Sequence, residues 1–195
     1  MSKVIVDVSP SLDGYLAGEE VSVERPFGTA GHRLHRWLGF EGATPAEADH
    51  EAAAAMFVTA GAVVLGRRMF EVGIGTWGAD GAFGRPCFVA THRPHENVDR
   101  GPTSFEFVTD GVPETVAKAR AAAGGKDVIV VGGASVVQQC LAAGLVDEMR
   151  LHVVPVLLGA GTPLFADSSA APVELEQTGV VATAEAVHVT YRVTR

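Results

Sequence analysis

Asp127-Val-Ile-Val-Val-Gly-Gly-Ala-Ser-Val-Val-Gln-Gln-Cys-Leu141 is the stretch whose reading decides the fold. Val128, Ile129, Val130 and Val131 form a β-branched run with no polar alternation. That is the pattern of a strand buried on both faces, in a sheet covered by helices. Gly132 and Gly133 break the run, and a helical pattern follows over residues 135–143. A strand, a glycine pair and a helix start form a recurrent anion site. Unpaired amide N–H groups point out of the helix N-terminus, and the missing side chains let a phosphate approach the backbone. The alternative is a tight turn into a crossover helix, although one turn rarely needs two adjacent glycines.

The same grammar repeats outward from this stretch. Thr44-Pro-Ala-Glu47 reads as a capping box with Pro45 at the first helical position, opening a helix over residues 44–59 that Gly61 ends. Ala62-Val-Val-Leu65 is a short buried strand, and Gly66-Arg-Arg-Met-Phe-Glu71 opens the next helix. Arg67 and Arg68 in a first helical turn oppose the dipole preference for acids there, which points to a phosphate ligand gripped by guanidinium forks. A solvated surface pair is the alternative. Pro86-Cys-Phe-Val-Ala90 is a further strand, ending at Thr91-His-Arg-Pro94. Residues 3–9, 104–108 and 145–154 read as strands, residues 113–123 as an amphipathic helix, and residues 155–165 as a glycine-rich, hairpin-like loop. Residues 173–178 and 186–193 close the chain as antiparallel strands.

The expected fold is therefore α/β: a mixed, mostly parallel sheet flanked by helices, with a C-terminal β-hairpin. With no repeat and no linker, residues 1–195 are expected to form a single domain. Ligands of such sheets bind beyond the C-terminal strand ends. Three ends carry Gly66-Arg67-Arg68, Thr91-His92-Arg93 and Gly132-Gly133. A dinucleotide with an extra 2′-phosphate suits phosphate sites spread out in this way.

Composition narrows the classes. The hydrophobic fraction is 47% and the charged fraction 19%, as in a globular enzyme or binding protein. A net charge of −8 is poorly matched to nucleic acid, although a local arginine cluster can still take a phosphate-bearing small molecule. Cys87 and Cys140 indicate no disulfide framework and fit a reducing compartment. The N-terminus turns polar after three apolar residues and no segment reaches membrane-spanning length, so a cytoplasmic protein is expected.

Residues 18–43 are the least regular part and suit a lid or binding loop. Within it Trp37 either faces a substrate or packs on the body with Leu34 and Leu38. His32 and His35 read as solvated helix residues. A two-histidine metal site would need a third ligand that the neighbouring sequence does not offer, and no metal is expected. Asp13-Gly14 is a turn signal in a loop placed to reach over a ligand.

Taken in order, Ser11-Leu-Asp-Gly-Tyr-Leu-Ala17, Val64-Leu-Gly-Arg-Arg-Met-Phe-Glu71, Val130-Val-Gly-Gly-Ala-Ser135, Leu145-Val-Asp-Glu-Met-Arg-Leu151 and Pro155-Val-Leu-Leu-Gly-Ala-Gly161 resemble the dihydrofolate reductase superfamily. The likeness is to the branch related to the C-terminal reductase domain of the riboflavin-biosynthesis deaminase-reductase, and it spans nearly the whole chain. It implies a dihydrofolate-reductase-like fold with NADPH across the strand ends, hydride transfer to a small heterocyclic or carbonyl substrate, and a homodimer.

Carried over residue by residue, the resemblance places Arg67 at the 2′-phosphate, with Thr91, His92 and Arg93 around the adenine end. It puts Arg68 beside the pyrophosphate, which Gly132, Gly133, Ala134, Ser135 and Val136 would hold, and it counts Gly66 and Val131 among the cofactor-binding residues. Ser9 and Leu16 would face the nicotinamide carboxamide. His152 falls at a substrate-side polar position and is the candidate proton donor, or else a half-exposed strand histidine. Two departures stand out. Residues 31–40 contain no Asp or Glu where dihydrofolate reductases carry a carboxylate, which argues against folate, and Met69 replaces a usual Thr. The missing acid also leaves room for a non-catalytic nucleotide-binding module that keeps the fold.

Overall fold

The computed structural model describes residues 2–165 and 172–194. Its strands are β1 (Val4–Val8), β2 (Tyr15–Ala17), β3 (Ala60–Gly66), β4 (Pro86–Ala90), β5 (Val98–Arg100), β6 (Thr103–Val108), β7 (Asp127–Gly132), β8 (Glu148–Val153), β9 (Thr162–Pro163), β10 (Glu174–Ala182) and β11 (Val187–Thr194). The helices are α1 (Glu47–Val58), α2 (Arg67–Gly73), α3 (Val112–Ala122) and α4 (Ala134–Ala142), with a 3-10 helix over Gly31–Leu38. One nine-stranded sheet runs in the order β10-β11-β8-β1-β7-β3-β4-β6-β5. The strands from β8 to β6 are parallel, while β11, β10 and β5 run antiparallel to their neighbours. This is the mixed, mostly parallel α/β sheet with a C-terminal hairpin.

Alternation along the central strands builds the two layers. Val4, Val6 and Val8 of β1, with Val128 and Val130 of β7, pack beneath α3 and α4. Ile5 and Ile129 point to the other face, beneath Phe57 of α1, and α2 adds Phe70 to an aromatic cluster with Phe83 and Phe105 there. Every residue of β1 is buried, Asp7 included. A strand of this kind reads as a continuous apolar run because both its faces are covered.

Several boundaries differ from the sequence reading. Helix α1 starts at Glu47, and its first turn is closed by Asp49, whose Oδ2 accepts the Ala46 N–H at 2.8 Å. Thr44 and Pro45 therefore precede the helix. Gly61 lies inside β3, where a Cβ would come within 2.2 Å of the Ala123 carbonyl oxygen, so only glycine permits that close approach. The loop after Val154 does not fold back on itself: Thr162 and Pro163 pair antiparallel with β2. Strand β5 was not visible in the sequence, being three residues with only one apolar member. Among the described residues, no helix is long and apolar enough to cross a membrane.

Candidate cofactor cleft and active site

The C-terminal ends of β3, β4 and β7 open into a cleft of about 620 Å³. Its walls are the three signatures read from the sequence: Gly66, Arg67 and Arg68; Thr91, His92 and Arg93; and Gly133, Ala134, Ser135 and Val136. Gly132 ends β7 at φ 126°, a backbone region that L side chains rarely adopt, and it turns the chain so that the start of α4 faces the cleft. Arg67 is held from two sides. Its Nε donates to Glu71 Oε1 at 2.7 Å, one helical turn on, and its guanidinium lies over the Phe107 ring at 5.4 Å. Its Nη1 is buried without a hydrogen-bond partner among the described residues. A buried donor in that state favours an incoming acceptor, and phosphate oxygens supply one. Thr91 works locally, its hydroxyl bridging the N–H and carbonyl of Arg93 at 3.1 and 3.2 Å.

A second, more apolar chamber of about 290 Å³ adjoins the cleft, and Arg68, Met69, Gly133 and Ala134 line both. Ser9, Leu16, Val131 and Gly132 line the chamber, as do Trp77, His35 and Asp7. Arg68 Nη2 also donates to the Val21 carbonyl at 3.0 Å, tying the irregular loop to the helix at the cleft. Asp13 has a structural task. It accepts from Ser11 Oγ at 2.6 Å and from the Leu158 and Gly159 N–H groups at 3.1 and 2.7 Å, clamping the glycine-rich loop. The Ser11 hydrogen bond and those amides hold its carboxyl below the ordinary aspartate range.

Two residues named from the sequence do not reach either cavity. Trp37 is 1% exposed and packs with Leu34, Val154 and Ala186. Its Nε1 donates to Ser9 Oγ at 3.0 Å, and its ring stacks on His152 with centroids 4.2 Å apart. Its substrate-facing reading is thereby replaced by body packing. His152 is also buried, not half-exposed, and stands behind Asp7: its Nε2 is 3.0 Å from Asp7 Oδ1. The two histidines of the irregular loop are engaged as well. His32 pairs with Glu41 at 2.7 Å, whereas His35 stacks with Phe27 at 4.2 Å and is pushed by burial down to about 4, so its ring is neutral near pH 7. Among the described residues no three His, Cys, Asp or Glu side chains are grouped to hold a metal.

Sequence reasoning missed Asp7, Asp49 and His188. His152 Nδ1 lies 2.6 Å from His188 Nδ1, and His188 Nε2 lies 2.8 Å from Asp49 Oδ1. Burial lowers the His188 pKa against the opposing pull of Asp49. Burial alone would raise Asp49, but hydrogen bonds from His188, the Ala46 N–H and Thr183 outweigh it and leave that carboxyl lowered. A signal existed for Asp7, the single charged residue in the run Val4-Ile-Val-Asp-Val8.

Known proteins carry the same architecture. The model of the RibD C-terminal domain matches residues 2–189. Two uncharacterized Bacillus subtilis (strain 168) proteins are similar in sequence. YyaP is 46% identical over 61 residues, which is 31% of this chain and 32% of that protein. YwjB is 28% identical over 164 residues, covering 84% and 82%. In fold, the chain superposes on a structure described as a riboflavin biosynthesis protein from Shewanella sp. PV-4 with a TM-score of 0.74, 21% identity and 99% of each chain covered. It superposes on Enterococcus faecalis dihydrofolate reductase, complexed with NADP(H), with a TM-score of 0.64, 17% identity and 99% and 97% covered. With the family model spanning nearly all of a sheet and cleft built in this way, the chain belongs to the RibD C-terminal domain family.

Proposed function

We infer that the protein is an NADPH-dependent oxidoreductase that reduces a small heterocyclic or carbonyl substrate. The observation that carries this reading is the pairing of an arginine-walled cleft with an apolar chamber across the shared Gly133–Ala134 step. Arg67, Arg93 and the amides at the start of α4 fit the phosphates of a dinucleotide, and the buried, unpartnered Nη1 of Arg67 fits an extra 2′-phosphate. The cofactor would bring the hydride, and the chain would contribute positioning and electrostatics. Ser9, Leu16 and Val131 line the part of the chamber where a nicotinamide would meet a substrate. The bound NADP(H) of the similarly folded dihydrofolate reductase supports the cofactor assignment.

A fluorescence titration tests it, with cavity-lining Trp77 as reporter. Saturable quenching by NADPH at concentrations well below those needed for NADH is expected. If neither nucleotide binds, the reading is lost.

The reading includes a homodimer and a cytoplasmic location. Every residue of the edge strand β10 is exposed, and Leu175, Val180 and Val181 are each at least 40% accessible. An edge strand this apolar invites a partner. Sedimentation velocity should give twice the 20.3 kDa chain mass, and a monomer at all concentrations would contradict the dimer. The free, buried thiols of Cys87 and Cys140 support a reducing compartment.

A further inference from the structure

Asp7 is the one charged residue of β1, and its side chain lies on the α1 face of the sheet with Ile5. Burying a carboxyl group in a strand is unfavourable unless its oxygens are satisfied. Oδ1 is satisfied by His152 Nε2, whereas Oδ2 has no hydrogen-bond partner among the described residues and belongs to a residue that lines the apolar chamber. The nearby cation is Arg150, whose Nη1 stands 4.0 Å from Oδ2 while its other contacts are Glu148 and the Ala55 carbonyl. Across the chamber are His35 and Arg68.

Behind Asp7 the hydrogen bonds continue without a gap. They run from His152 to His188 through the two Nδ1 atoms, from His188 to Asp49, and on to Thr183 Oγ1, which donates to Asp49 at 2.8 Å. Asp7, His152, His188 and Asp49 are all buried, and the Trp37 ring covers both imidazoles. Each of the three bonds along the chain needs one proton. With those protons held on nitrogen, His152 Nε2–H points at Asp7, His188 Nε2–H points at Asp49, and a single proton is shared by the two Nδ1 atoms. The imidazole pair then carries one positive charge, which Asp49 balances.

We propose that Asp7 is the proton donor of the reduction and that the His152–His188–Asp49 chain positions it and stabilises the carboxylate it leaves. The proposal rests on the reductase reading above. When the carbon of a substrate C=O or C=N has accepted the hydride with its electron pair, the nicotinamide is left oxidised and the π electrons lie on oxygen or nitrogen. That atom forms its bond to hydrogen as the Oδ2–H bond of Asp7 breaks, and Asp7 becomes a carboxylate. The shared proton then shifts from His188 Nδ1 to His152 Nδ1, so the cation stands next to the new carboxylate. Solvent returns one proton to Asp7 once the chamber opens.

The test uses whole protein labelled with [15N]histidine, NADPH, and isatin as a planar carbonyl probe. The wild type should show protected imidazole N–H signals, one of them coupled to two ring nitrogens and lost in both His152→Gln and His188→Gln. Asp7→Asn should melt cooperatively, bind NADPH as the wild type does, and move the His152 Nε2 shift. Its kcat with isatin should fall about 100-fold, the scale of general-acid catalysis, with KM little changed. Absence of the shared proton overturns the chain, and wild-type turnover by Asp7→Asn overturns the donor role. A wild type that binds NADPH but never passes hydride to isatin overturns the reductase reading and the donor role with it, while the N–H spectrum still decides the chain.

Discussion

Arg67→Ala is expected to lower NADPH affinity roughly 10- to 100-fold and to leave NADH affinity within about twofold. The range follows from a charge-assisted hydrogen bond worth about 1.5–3 kcal/mol, at about 1.4 kcal/mol per tenfold. The discrimination arises because only part of the guanidinium is already engaged. Nε is committed to Glu71 and the plane to Phe107, while Nη1 waits without a partner. Glu71 and Phe107 hold the fork in place, so little side-chain entropy is lost when a phosphate binds. Arg67→Lys should recover only part of the loss, since an ammonium cannot reproduce the planar fork. Isothermal titration with both nucleotides reads the result directly. Equal losses for NADPH and NADH would place Arg67 at the pyrophosphate, and no loss for either would place it away from the ligand.

The second large effect concerns stability. Trp37→Ala should cost about 3–5 kcal/mol, the range for deleting a buried aromatic side chain, visible as a lower urea midpoint. The residue is almost wholly buried among Leu34, Val154 and Ala186, so its removal leaves a void that the short 3-10 helix cannot fill. It would also strip the stack from His152 and leave Ser9 Oγ without its indole donor. Trp37→Phe should cost less, because it keeps an aromatic ring at the stack and gives up the hydrogen bond and a smaller volume. Below its melting range the alanine variant should still bind NADPH. A variant with normal stability but altered ligand binding would return Trp37 to the substrate side.

These cases also show what the sequence could and could not reveal. The cleft was legible because each of its walls is local: a buried strand, a glycine or two, and a helix start within ten residues, as in Val128–Val136 or Val63–Phe70. The sheet followed from those units, since parallel strands need crossover helices. The acid–imidazole chain was illegible because its partners are far apart in sequence; Asp7 and His152 are separated by 145 residues. Two of its members looked ordinary in their own contexts, Asp49 as a first-turn helix acid and His188 as one polar residue in a strand. Trp37 was ambiguous for a related reason: an aromatic at helical spacing from Leu34 fits a lid as well as a core. Strand β5 and the pairing of β9 with β2 depend on tertiary neighbours, not on their own few residues.

The place of β1 in the sheet has a consequence for how the molecule is made. It comes before the other strands of this sheet in sequence, yet both its neighbours come late, with Val4 pairing with Val128 and Ile5 with Glu148. Its ladder cannot close until β7 and β8 have left the ribosome, and contacts of such long range slow folding through the entropy of closing the loop. Until then Val4-Ile-Val-Asp-Val8 is an exposed, strongly β-prone segment of the nascent chain. Asp7, unfavourable in the finished core, is in that interval the one charge that discourages the segment from pairing with its like on another chain.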